Sequence, residues 1–340
     1  VQIPSYDRSN GLSLPFAGLI ALPHSGVRIV PSLTYRSQLG RVDPMVSMLA
    51  PVNRRTSVRL EAGRGTFSND DWIRSDLVNS AEYFLVGDDT RNYYRASRAK
   101  ATLSRRWESE SAMLEPFIGG LVERGTSVRP GLNASGGPWA LLNRRGDDDV
   151  LRPNPAIDPG TTTSFVAGAA WRWSADAMDA RATVNEEVGN FSSKAGFARQ
   201  AGAFAQTTID ARITFPTFGS QSLGFSGHGV FTGGAEPRQR WAYIGGPGSI
   251  PTLDLLERGG DHILYIDARY AIPFERVQVP MVGSPIITLR EILAGAAENR
   301  FPTLSQATGV RVSVGFVYGE LLVDPVSHHR YGGFGISLDQ

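Results

Sequence analysis

The feature that most constrains this chain is a two-residue alternation carried by short segments, clearest between Arg238 and Gln340. Five segments carry it there: Arg240 to Gly246, His262 to Phe274, Ile286 to Ala296, Gly309 to Leu322 and Tyr331 to Leu338, each bounded by Gly, Pro, Asp or Asn. Between Gly309 and Phe316 the set Val310, Val312, Val314 and Phe316 alternates with Gly309, Arg311, Ser313 and Gly315. Between Leu264 and Ile272 the apolar set Leu264, Ile266, Ala268, Tyr270 and Ile272 alternates with Tyr265, Asp267 and Arg269. Side chains alternate across a strand, so each segment presents one oily and one polar face. Segments of about ten residues match what a tilted strand needs to cross a hydrocarbon layer.

A soluble sandwich or propeller shows the same alternation with the faces reversed, so composition has to arbitrate. The chain has 340 residues, long enough for two ordinary domains or one large barrel. Hydrophobic residues make up 41% and mean hydropathy is -0.17, too low for a helical membrane protein, and no apolar run reaches the roughly 18 residues of a membrane helix. A barrel needs no such run, because half of its strand residues face the lumen. The 34 basic and 33 acidic residues nearly balance, which argues against nucleic acid as a partner. There is no Cys, in keeping with an oxidising compartment. The reading is an all-β transmembrane antiparallel barrel of about sixteen strands with one short helix in a loop, residues 1–340 forming a single domain without a periplasmic accessory domain.

In chain order, Leu12 to Leu22 reads as the first strand, with Pro15 marking an edge or weak seam because proline cannot donate to a ladder. Strands follow at 27–37, 41–49 and 56–67. Between Asn69 and Asp89 the period shifts, and Trp72, Leu77, Ala81, Phe84 and Leu85 fall near helical spacing, as for an amphipathic helix on the membrane surface, in the barrel mouth or against its own loop. Strands resume at 93–107, 112–126, 161–174, 179–188, 204–215 and 222–231. Arg129 to Gly160 is a long loop around Asp147, Asp148 and Asp149, which lack the spaced ligands of a calcium loop. With a periplasmic N-terminus and Leu12 in the first strand, the register puts the helix loop and the 129–160 loop on the periplasmic side. The aromatics Trp107, Trp173, Trp241, Tyr243 and Tyr331 fall near strand ends and suit an interfacial girdle.

The polar faces are charged. Arg59, Glu61, Arg98, Lys100, Arg106, Glu115, Arg172, Arg181, Asp210, Arg212, Asp267, Arg269 and Arg311 fall opposite the apolar sets. A charge facing lipid at mid-depth costs roughly 2 to 4 kcal/mol, so mixed charges gathered on the other face predict a lumen laced by ion pairs.

Catalytic constellations are missing. Gly224-Phe225-Ser226-Gly227-His228 lacks the second glycine of a nucleophile elbow and lies within a strand, and His328-His329 fall at a hairpin tip. No zinc-protease or phosphate-loop pattern occurs. The sequence therefore predicts no enzyme, no catalytic residue, no metal and no cofactor.

With these residues in view, the chain resembles the BamA and TamA outer-membrane assembly barrels of the bacterial surface antigen superfamily. Tyr6-Asp7-Arg8-Ser9-Asn10-Gly11-Leu12 resembles their barrel entry. Gly245, Gly246, Pro247, Gly248, Ser249 and Ile250, followed by the strand ending Ala271-Ile272-Pro273-Phe274, resemble their Gly-Gly lid loop and the next strand. Gly309 to Leu322, Leu322-Val323-Asp324-Pro325 and Phe334 to Leu338 resemble their closing strands. The resemblance implies an outer membrane of the Gram-negative type, contact with its lipids, and client outer-membrane proteins or partner subunits. It also implies a lid-loop Arg paired with acidic residues on the next strands. Here that position reads Ile250-Pro251-Thr252-Leu253, and the strand carries Arg269, four residues before Pro273, where the family often carries Glu.

Two functions remain open on the sequence. One is protein insertion through a weak seam between the first and last strands, marked by Leu12, Leu14 and Pro15 on one side and Phe334, Ile336 and Leu338 on the other. The alternative is a passive solute pore, or the membrane anchor of a larger protein or complex.

Overall fold

The computed structural model describes residues 3–128, 140–142, 152–193, 201–280 and 282–336, in which eighteen strand segments join into one antiparallel sheet. Two strands are interrupted, which makes sixteen in the wall. They are β1 Ser5–Asp7, β2 Gly11–Ala17 resuming at Ile20–Leu22, β3 Val27–Arg36, β4 Arg41–Pro51, β5 Thr56–Phe67, β6 Tyr94–Arg105 resuming at Trp107–Glu108, β7 Ala112–Ser127 and β8 Gly160–Ala175. The second half comprises β9 Met178–Ser193, β10 Gly202–Pro216, β11 Ser222–Gly234, β12 His262–Pro273, β13 Ile286–Ala297, β14 Ser305–Val314, β15 Val317–Val323 and β16 Arg330–Ile336. Each pairs with the next in sequence, so the sheet is a continuous meander.

Leu12 is not in the first strand. Ser5–Asp7 pairs with it, Tyr6 opposite Leu12, after a tight turn that the Asp7 carboxylate holds by accepting from the N–H groups of Ser9 (2.9 Å) and Asn10 (2.7 Å). That extra strand reverses the expected sidedness. The helix loop at 68–93, the 128–159 connection and the lid at 235–261 all fall at the end opposite the short turns 23–26, 52–55, 109–111 and 176–177. Long loops on one end and short turns on the other are the ordinary arrangement of such barrels.

Burial separates the two faces. Leu33, Val46, Leu60, Leu103, Ile118, Phe165, Val184, Ile209, Phe225, Leu289, Val310 and Leu321 are exposed on the outer face, while Asp267, Arg290, Glu320, Glu123 and Arg240 are buried within. A soluble sheet would do the reverse, so the fold is a transmembrane barrel. No described helix is long and apolar enough to cross a membrane.

Two expected segments take other forms. Arg240 to Gly246 is not a wall strand: Ala242–Ile244 pairs with Arg258–Gly260 in a separate two-stranded lid hairpin. Trp241 and Tyr243 therefore sit in the lid and not in an outer girdle, and Tyr331 packs against the interior cluster. Gly309 to Leu322 is two strands, β14 and β15, turned at Gly315, whose φ of 57° suits glycine. Asp147 to Asp149 and Leu338 lie outside the described residues.

Candidate functional site: a plugged lumen and an open seam

The predicted lid loop folds inward. Ile244, Ile250 and Ser249 have no exposed surface, and Ile244 and Ile250 pack with Ala242 on Val230, Ile263, Tyr265, Ile292 and Ala307 of the wall. Gly246 and Gly248 hold φ of 77° and 96°, which branched chains avoid, and the Gly246 N–H donates to Ile250 O at 3.1 Å to close the turn. Gly248 is also a point of close approach: a Cβ there would stand 2.8 Å from Ile73 Cγ2.

Ile73 belongs to the segment before the helix, which enters the lumen beside the lid. Asn69 Nδ2 donates to Trp241 O at 3.0 Å, and Asp70 accepts from the N–H groups of Tyr243 (2.9 Å) and Asn92 (2.8 Å). Burial pushes the Asp70 carboxyl up to about 7 against those two hydrogen bonds. Burial likewise pushes Glu236, at the root of the lid, up to about 8. Trp72, expected within the helix, precedes it and stacks on His228 of β11 at 4.2 Å between ring centroids, 8° from parallel. The helix itself, α1, spans Asp76–Val86, capped by Ser75, whose side chain accepts from Val78 N–H, and by Gly87 with φ of 85°.

The lid is fastened to the wall by a residue that sequence reasoning passed over. Arg240 Nη1 donates to Glu123 of β7 at 2.7 Å, and its Nε and Nη2 each lie 3.0 Å from Glu187 of β9. Burial would lower the Arg240 pKa, yet the two carboxylates outweigh it and hold the guanidinium well above its ordinary value. The lid is thus tied to the wall by an arginine that precedes its glycines.

The acidic side of the expected clamp is also filled, from the wall itself. Asp267 of β12 accepts from Arg290 of β13 at 2.7 Å and from Arg269 at 2.7 Å, and Arg290 reaches on to Glu320 of β15 at 2.7 Å. Arg311 completes the row at 2.7 Å from Glu320. Asp267, Arg269 and Arg311 were readable from alternation; Arg290 and Glu320 were not singled out.

The other predicted charges fall into smaller groups. Arg106 pairs with Glu115 at 2.7 Å, half-exposed; Glu61 stands opposite Lys100; Arg59 stands opposite Thr102. Arg98 lies 3.8 Å over the Phe67 ring. Arg172, Arg181 and Arg212 stand in direct cross-strand register on β8, β9 and β10. Arg181, Asp210, Arg212 and Arg269 line a cavity of about 240 Å³ closed on the plug side by Trp72 and Gly248, with Asp210 bound to His228 Nδ1 at 2.7 Å. Among the described residues no group of three His, Asp or Glu could hold a metal.

At the seam, β1 pairs only with β2 and β16 only with β15 among the described residues. Leu12, Leu14 and Pro15 stand one strand in from the edge. The β1 ladder stops at Ser5 opposite Ser13, so Pro15 lies where the β2 edge is uncovered, as its missing donor favours. Phe334 and Ile336 lie on β16 itself, with Phe334 exposed.

No sequence-family model and no curated protein matches this chain. Solved structures do. CdiB from Escherichia coli aligns over 97% of this chain and 60% of its own at TM-score 0.53 and 11% identity. CdiB from Acinetobacter baumannii aligns over 98% and 58% at TM-score 0.52 and 13% identity. BamA from Haemophilus ducreyi lacking POTRA domains 1-3 aligns over 98% and 67% at TM-score 0.57 and 11% identity. This chain spans about three fifths of those CdiB chains, and at such identities what is shared is architecture: it has the outer-membrane barrel fold of BamA and CdiB.

Proposed function

We propose that this chain is a protein-insertion or translocation barrel whose working part is the seam between β1 and β16. The observation that carries the reading is that each of these strands has a strand neighbour on one side only, among the described residues. β1 covers just Gly11 to Ser13 of its partner. An unpaired edge templates an extended segment of another chain, which is the chemistry that inserting a client strand requires. The clients are other outer-membrane proteins, met at the lipid boundary where the edges lie. The plug supports this reading over an open solute pore, since the lid places Ile244 and Ile250 in the lumen without exposed surface.

The chain lacks Cys, which makes the test direct. Cysteines at Ser5 and Gly332 are joined across the seam by a reducible bifunctional crosslinker long enough to span the helix beside it, in native outer membranes, while the assembly of other barrels is followed. Insertion through the seam predicts that the crosslinked protein stops assembly and that reduction restores it. Unimpaired assembly with the seam fully crosslinked would sink the reading and leave a passive barrel or anchor.

A further inference from the structure

We propose that α1 is a piece of the barrel wall: a helix wedged between β1 and β16, bridging their edges and turning an apolar stripe to the lipid acyl chains.

Both edges are held by α1 side chains. Ser80 Oγ accepts from the Tyr6 N–H of β1 at 3.0 Å, and Glu82 Oε1 accepts from the Ile336 N–H of β16 at 3.2 Å. These side-chain oxygens stand where a neighbouring strand would offer carbonyls. Glu82 is fixed in turn by an ion pair with Arg74, and Tyr6 packs its ring 5.3 Å from that of Tyr83.

The helix buries apolar and polar residues together and leaves large apolar ones outside. Val78, Asn79, Glu82, Tyr83 and Val86 are buried, whereas Leu77 and Phe84 are exposed, with Ala81 between them at spacings of four and three. Phe334 on β16 and Leu12 on β2 are exposed as well, as a stripe that continues the apolar belt of the wall requires, while Leu77, near the helix start, also borders the cavity lined by Asp7, Arg36 and Asp43. The end of the helix is finished as lipid demands. Leu141 and Leu142 donate their N–H groups to Phe84 O and Leu85 O at 2.8 Å each, and Gly87 N–H to Tyr83 O at 3.0 Å. These carbonyls would otherwise need water that a bilayer core does not supply. Leu141 and Leu142 are themselves exposed.

The wedge makes seam opening a helix movement, since a strand can add to β1 or β16 only where Ser80 or Glu82 has let go. It holds whether the barrel inserts clients or not, and its test uses no client. Single cysteines at Leu77 and Phe84 are labelled with bimane in lipid nanodiscs and quenched by brominated lipids or aqueous iodide, with Leu33→Cys as the lipid-facing reference and Ser327→Cys as the loop reference. The wedge predicts bromolipid quenching within twofold of the Leu33 position; quenching by iodide at the Ser327 level overturns it. Nitroxide labels at Leu12 and Phe334 then report the seam. Ser80→Ala combined with Glu82→Gln is expected to broaden their distance distribution, and an unchanged distribution overturns the bridge.

Discussion

Arg240 and Glu123 lie 117 residues apart in sequence and 2.7 Å apart in space, both nearly free of solvent, and they join the root of the lid to the barrel wall. Glu187 shares the same guanidinium. Removing one partner of a buried charge pair is far more damaging than the pair is stabilising, because the remaining charge is stranded. Arg240→Met is therefore expected to destabilise the lid by about 3 to 5 kcal/mol, and Arg240→Lys by less, since it keeps the charge but not the fork. Limited proteolysis between 241 and 257 measures this. Protection equal to that of the unsubstituted protein would remove Arg240 as the anchor.

The lid should also loosen in alkali. Asp70 and Glu236 have pKa values raised by burial, from 3.8 to about 7 and from 4.5 to about 8. A raised carboxyl pKa means that the folded lid prefers the protonated form. Its contribution is fully present below the unfolded pKa and is lost as pH climbs through the folded one. Lid stability is expected to fall by several kcal/mol between pH 5 and 8, Asp70 contributing up to about pH 7 and Glu236 up to about pH 8. Glu236→Gln, which cannot ionise, should flatten the upper part of that slope; an unaltered pH profile of lid proteolysis would exclude Glu236 as a source.

Alternation made the wall legible, because Asp267, Arg269 and Arg311 share a parity that only a two-faced strand explains. It also put Glu115 inside. What it could not supply was the partner across the lumen: Arg240 sits in a loop without period, and nothing local ties it to Glu123. β1 escaped because three residues are too few to show a period, and that single omission inverted the sidedness of every loop. The helix was legible from Leu77, Ala81 and Phe84, but their spacing left it equally on the membrane surface, in the barrel mouth or against its own loop. A stripe that packs on protein and one that faces lipid have the same spacing, so only the unpaired edges of β1 and β16 tell them apart.

Arg172, Arg181 and Arg212 set three like charges side by side across β8, β9 and β10. Like charges directly opposite are destabilising, and opposite charges contribute roughly 0.2 to 1 kcal/mol per pair. Arg181→Glu sets a carboxylate in register with an arginine on either side, so this charge reversal should stabilise the barrel by about 1 kcal/mol. Unfolding in guanidinium, or the temperature at which folded mobility is lost on a gel, reads the change. A destabilised variant would mean that the arginines are spread apart or separately paired.

Arg290 touches two carboxylates, Asp267 and Glu320, while Arg311 touches one that Arg290 already serves. The two arginines should therefore differ sharply when removed. Arg290→Met strands Asp267 with only the partly exposed Arg269 and leaves Glu320 to Arg311, and is expected to cost about 3 to 5 kcal/mol. Arg311→Met removes a single ion pair and leaves Glu320 with the buried Arg290, and should cost about 1 kcal/mol. The double variant should exceed the sum of the two, because Glu320, fully buried, then has no cation near it. Strict additivity in a double-mutant cycle would show that Glu320 does not depend on this row.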